Sequence, residues 1–198
     1  YVDELYALIH YTVTTLKKTK IALFHEESGW GLQARKAAER LLAAHNLTLA
    51  GAASYQPGTV NVSAAVKAMS DMAPEVIICA ANGRPAYNFI REAVNQKLHY
   101  VTFLGTSRLA GIQEHLATAR GIKLCTSAVV PNPRTSKLPI VEQYRAAMQK
   151  YLPNKGLSPF SLEGYIAMQL LVEFLSKLTP AARLGHLAFL WLLLVIPM

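Results

Sequence analysis

Three short stretches of the chain carry the residue types from which a small-molecule site is built. Ser28-Gly29-Trp30-Gly31 presents a hydroxyl and an indole between glycines, Asn82-Gly83-Arg84 a carboxamide and a guanidinium, and Gly105-Thr106-Ser107-Arg108 two hydroxyls and a second guanidinium. A tryptophan at the rim of a cleft supplies a large apolar face and one N–H donor. A guanidinium supplies a planar fork that grips a carboxylate through paired bonds. Each also has a plainer use: Trp30 packed on its own domain, Arg84 solvated beside a helix start, and Thr106 or Ser107 capping the helix that follows.

Covalent chemistry finds less support. No G-x-G-x-x-G follows an expected strand, no G-x-x-x-x-G-K-[ST] occurs, and Gly29-Trp30-Gly31 lacks the third glycine of a dinucleotide turn. A G-x-S-x-G nucleophile turn is absent. The histidines at 10, 25, 45, 99, 115 and 186 show no H-E-x-x-H spacing, and no Cys/His group has metal-ligand spacing. His25, Glu26 and Glu27 lie beside the first stretch and read as loop residues, with both carboxylates solvated. Neighbours in sequence do not make an acid/base pair without a placed substrate, so neither an enzyme nor a cofactor is expected.

An alternation of strands and helices must position the three stretches. Apolar runs at Ile21–Phe24, Leu47–Tyr55, Val76–Ala81, Tyr100–Leu104 and Ile122–Val130 predict five strands. Amphipathic segments at Gly31–His45, Val62–Met69, Ala86–Lys97 and Ala110–Leu116 predict the connecting helices, with Asp3–Leu16 as a helix leading in. Val76-Ile77-Ile78-Cys79-Ala80-Ala81 is apolar without alternation, as suits a strand covered on both faces. The rhythm predicts right-handed βαβ crossovers and an α/β fold, an open parallel five-stranded sheet with helices on both faces. The three stretches then follow strands one, three and four, outside the carboxyl ends where such sheets bind ligands.

After the fifth strand the pattern changes. Pro131-Asn132-Pro133-Arg134-Thr135 has linker composition, and the helices Ile140–Tyr151 and Ser161–Leu178 follow without strands. Residues 1–130 therefore read as one α/β lobe, 131–178 as a crossing with two helices, and 179–198 as an atypical apolar tail. Leu184 to Met198 falls short of the ~20 apolar residues of a membrane-spanning helix and reads as an end that did not evolve with this fold. The formal charge of +8 comes from scattered Lys and Arg without a dense run, which argues for a solvated basic surface and against a nucleic-acid partner. Cys79 and Cys125 sit in strand-like runs and are expected as buried free thiols. Acidic residues precede the apolar face of the first helix, so no signal peptide is expected at the start.

Four blocks in one order carry a family resemblance: KIALFHEESGWGLQARKAAERLLAA, SYQPGTVNVSAAVKAMSDMAPEVIICAANGRPAYNFIREA, FLGTSRLAGIQEHLATARGIKLCTSAVVPNP and IVEQYRAAMQKYLPNKGLSPFSLEGYIAMQLLVEFLSKL. Over Tyr1 to Leu178 the chain resembles the second lobe, plus the return into the first, of type I periplasmic solute-binding proteins of the branched-chain amino acid class. The resemblance implies two α/β lobes that close on a solute and deliver it to an ABC permease, in the periplasm or outside the cell, with the apolar tail leaving membrane association open. It implies a hinge crossing at Val129–Pro133, a first-lobe sheet preceding Tyr1, and ligand contacts from Ser28, Trp30, Asn82, Arg84, Ser107 and Arg108.

Two departures stand out against the family. Ala81 occupies the place of a second aromatic contact, and Ser107 that of the acid that holds an amino acid's ammonium group, with no Asp or Glu near it in sequence. Weak or absent solute binding by this chain alone is expected, together with self-association through the unpaired faces of the last two helices. A ligand-sensing regulatory or receptor domain on the same lobe is the alternative function.

Overall fold

The computed structural model describes residues 1–109, 111, 112, 116 and 121–178, and the chain divides into two units, Tyr1–Val129 and Val130–Met198. Most of the expected helix Ala110–Leu116 and all of the tail 179–198 lie outside the described residues, as do His115 and His186.

In the first unit, α1 (Val2–His10) leads into β1 (Ile21–Glu26), α2 (Gly29–Ala43), β2 (Gly51–Tyr55), α3 (Ser63–Met72), β3 (Val76–Ala80), α4 (Gly83–Gln96), β4 (Thr102–Gly105) and β5 (Lys123–Thr126). The strands form one parallel sheet in the order β2-β1-β3-β4-β5, with Phe24 beside Cys79 and Ile77 beside Phe103. Successive residues of β3 serve opposite faces. Ile77 and Cys79 pack with Phe24, Val66, Phe89 and Phe103 on the side of α3 and α4, whereas Val76, Ile78 and Ala80 pack with Leu5, Ile9, Ala38 and Leu42 on the side of α1 and α2. The uninterrupted apolar run is thus explained by two cores on one strand.

Several boundaries differ from the sequence reading for identifiable reasons. The helix expected over Asp3–Leu16 is α-helical only to His10 and continues as a π-helical turn, Tyr11–Thr15, where buried Thr12 returns its hydroxyl to the Leu8 carbonyl at 2.7 Å. The strand expected from Leu47 begins at Gly51, because Leu47 and Leu49 are apolar in order to pack against α1 and α2 rather than to enter the sheet. The first connection is two residues long, since β1 runs on to Glu26 and α2 starts at Gly29. His25 is therefore not a loop residue. It lies in β1 between Ser54 and Ala80, 3% exposed, with Nδ1 2.9 Å from the Glu26 carbonyl oxygen. Of the two cysteines only Cys79 is buried; Cys125 is exposed because β5 is the edge strand.

The second unit holds α5 (Pro139–Tyr151) and α6 (Pro159–Lys177), which meet through buried Val141, Tyr144 and Leu162. α6 starts two residues before the expected Ser161, with Ser158 as its cap: the Ser158 hydroxyl accepts the Ser161 N–H at 3.2 Å, and Pro159 fits the first helical position, where no N–H is needed. Arg145 donates to the carbonyls of Pro133 and Ser136 at 3.1 and 2.9 Å, which pins the linker to α5. Phe160, Met168, Leu170, Val172 and Phe174 of α6 are exposed.

Candidate functional site

The strand order places β1, β3 and β4 side by side, so the segments that follow them share the carboxyl edge of the sheet. That order also reverses direction between β2-β1 and β3, the switch point at which open α/β sheets hold ligands. Ser28 and Trp30 follow β1 at the start of α2, Asn82 and Arg84 follow β3 at the start of α4, and Ser107 and Arg108 form a 3-10 turn, Ser107–Leu109, after β4.

Ser28 is extended (φ −128°, ψ 169°), and its Oγ accepts the Gly31 N–H at 3.3 Å. Its hydroxyl thus caps α2. Gly31 lets that first turn settle on the strand it leaves, because a Cβ there would overlap the Glu26 carbonyl and lie 2.9 Å from its carbon. Trp30 is carried into the same turn, half-buried against the α1/α2 core, with Tyr1 edge-on at 5.9 Å between ring centres. The guanidinium carbon of Arg108 lies 5.3 Å from the centre of the indole. The ring expected to face solute is therefore covered by a cation from the third stretch, in a contact of the cation–π type. The indole Nε1 is buried and has no hydrogen-bond partner among the described residues.

Of the carboxylates beside this edge Glu27 is exposed, as the sequence suggests, whereas Glu26 is partly buried, and both accept hydrogen bonds. The Tyr55 hydroxyl donates to Glu26 Oε2 at 3.0 Å, while Glu27 accepts from the Ser54 hydroxyl at 2.6 Å and from Gln56 Nε2. Burial, then the bond to Glu26 and that carboxylate's charge, push the Tyr55 phenol well above its ordinary value, against a hydrogen bond from the Asn82 backbone. The ends of β1 and β2 are thereby joined to each other. Arg84 is exposed one residue beyond Gly83, whose φ of +56° makes the turn.

The third stretch has an acid beside it after all. Glu4 Oε1, from the first turn of α1, accepts the Ser107 backbone N–H at 2.7 Å and the Ser127 hydroxyl at 2.7 Å. Burial by itself would raise this carboxyl, but the hydrogen bonds from Ser107 and Ser127 outweigh it and hold the group below its ordinary value. The sequence marks Glu4 only as an acid at a helix start, and 103 residues separate it from Ser107. The structure thus unites Trp30 with Arg108 and Ser107 with Glu4, gives Ser28 to the α2 cap, and leaves Asn82 at the start of α4.

A hollow of about 720 Å³ flanked by Tyr1, Val2, Gln33, Lys36 and Arg40 takes no residue from the segments after β3 and β4. Among the described residues no His/Cys/Asp/Glu group is placed to hold a metal, and no helix is long and apolar enough to cross a membrane.

The sequence profile of a family described as periplasmic binding protein matches residues 1–186. A substrate-binding periplasmic protein from Ralstonia solanacearum superposes with TM-score 0.81 at 28% identity, covering 91% of this chain and 51% of that one. A possible leucine/isoleucine/valine-binding protein from Rhodopirellula baltica gives TM-score 0.79 at 25% identity, with 90% and 50% covered. A solute-binding protein from R. palustris in complex with benzoate shares the fold alone, at 14% identity and TM-score 0.70, with 86% and 46% covered. The chain spans about half the length of these solved structures. A comparison with curated proteins finds no match.

Proposed function

The chain belongs to the periplasmic binding protein family, and on that footing we propose that it is the solute-binding component of an ABC transporter, or part of one, working in the periplasm. Its carboxyl edge forms one wall of an interlobe cleft for an amino acid or similar small solute, and a permease receives the solute. The observation that carries this reading is the placement of Ser28, Trp30, Asn82, Arg84, Ser107 and Arg108 after three adjacent parallel strands at the switch point.

Residues 131–178 belong, in this reading, to the opposite lobe. The exposed Met168, Leu170 and Val172 of α6 support it, because a helix with so much apolar surface in solvent is built to be covered. In the chain by itself that surface drives self-association, and a clean monomer in sedimentation at high concentration would refute this.

Affinity in a two-lobe binder comes from closing both walls on the solute, so one wall binds weakly. The test is an NMR titration of the chain with aliphatic and aromatic amino acids and benzoate at millimolar concentration, paired with calorimetry. Shifts confined to the segments after β1, β3 and β4 support the function. Shifts elsewhere, or none with any solute, refute it, and sub-micromolar affinity refutes the division between lobes.

A further inference from the structure

We propose that Glu4 is a positioning residue of this edge: its carboxylate fixes the turn after β4 so that Arg108 is held over the indole of Trp30. The inference rests on the solute-binding reading for what the edge does, while the contacts that argue it stand on the geometry alone.

One carboxylate oxygen joins three segments. Glu4 Oε1 takes the Ser107 N–H and the Ser127 hydroxyl at 2.7 Å each, bridging the start of α1, the turn after β4 and the exit of β5. The Ser107 amide opens the turn Ser107–Leu109, whose other end is fixed by fully buried Leu109, with the Leu109 N–H on the Thr106 carbonyl at 2.9 Å. With both neighbours anchored, the exposed Arg108 between them projects toward Trp30, 5.3 Å from the ring centre.

Among the described residues no lysine, arginine or histidine forms an ion pair with Glu4. Its partners are neutral donors, so the carboxylate acts through charge-assisted hydrogen bonds, roughly twice as strong as neutral ones. Trp30 and Arg108 come from different elements, α2 and the turn after β4. What holds that turn therefore decides whether the face of the indole is covered or open.

The test uses the 198-residue chain with Trp191→Phe, which leaves Trp30 as its one tryptophan. Glu4→Ala is expected to speed hydrogen exchange of the Ser107 amide by roughly 10- to 100-fold, the cost of losing a charged acceptor, and to change Trp30 emission. Glu4→Gln keeps an acceptor oxygen in place and is expected to restore Trp30 emission and most of the protection. Arg108→Ala is expected to change Trp30 emission while leaving Ser107 exchange as it was.

Unchanged Ser107 exchange in both Glu4 variants, or faster exchange in Glu4→Ala with unchanged Trp30 emission, would overturn the proposal. If Glu4→Ala does not fold, Glu4→Gln decides: loss of the Trp30 signature in that folded, near-isosteric variant overturns the claim that an acceptor at this point sets the turn, and its retention with slightly faster Ser107 exchange supports it. None of these readouts uses a solute. A failed solute titration would thus remove the functional reading and leave this result standing, and the converse also holds.

Discussion

Replacing Gly31 by alanine perturbs the edge at its tightest point. The added Cβ would overlap the Glu26 carbonyl oxygen and sit 2.9 Å from the carbonyl carbon and 3.1 Å from the Glu26 nitrogen. These are backbone atoms at the end of β1, held by pairing to Tyr55 of β2, so the start of α2 must move instead. Overpacking of this kind costs about 1–3 kcal/mol, and a clash with backbone belongs at the upper end. Alanine returns about 1 kcal/mol of helix propensity, leaving a net loss of about 2 kcal/mol, roughly a 30-fold fall in the folding constant.

The assay is urea denaturation followed by Trp30 emission in the Trp191→Phe background, which reports the first unit. Gly29→Ala, two residues earlier and with nothing within 4 Å of its added Cβ, is the matched control. That variant is expected to be neutral or to gain about 0.5 kcal/mol from the stiffer unfolded chain. A Gly31→Ala midpoint equal to or above that of the parent would refute the reasoning, as would a larger loss in Gly29→Ala. Because Trp30 lies between the two glycines, only the damaging change should also shift its native emission.

Ala73 ends α3 in the left-handed region (φ 46°, ψ 59°), so Ala73→Gly is expected to raise stability by about 0.5–1 kcal/mol in denaturant unfolding; a loss would contradict it. Burial pushes the Cys79 thiol well above its ordinary value while Cys125 is exposed, so a disulfide thiol reagent should label one cysteine in the native chain and two in urea, and none natively in Cys125→Ser. Glu75 is held below its ordinary value by the Lys18 ammonium and then by the Lys20 and Thr19 amides, and Glu4 by the bonds from Ser107 and Ser127 that outweigh its burial. The unfolded chain therefore takes up protons first as pH falls: the stability from both groups is complete above about pH 4.3 and is lost as pH drops through their folded values. Glu4→Gln should flatten that acid decline, and an unchanged slope would remove Glu4 from it.

The apolar pattern of the chain by itself determined the alternation of strands and helices, the parallel sheet and the place of the three stretches at its carboxyl edge. Val76–Ala80 could be read as a doubly covered strand because its composition records burial on each face, and burial is a local demand on residue type. Element ends were less legible. Leu47 and Leu49 are apolar for packing rather than pairing, and α6 begins at Pro159 behind its cap Ser158 rather than at Ser161.

Only the tertiary structure decided the chemistry of the edge. His25 is withdrawn into β1, Ser28 is spent on Gly31, Arg108 is laid over Trp30, and Glu4 meets Ser107 across 103 residues of sequence. Hydrophobic periodicity is written along the chain, whereas which polar groups meet depends on the packing of elements distant in sequence. No spacing between Glu4 and Ser107 announces their contact; the way α1 packs beside β4 creates it.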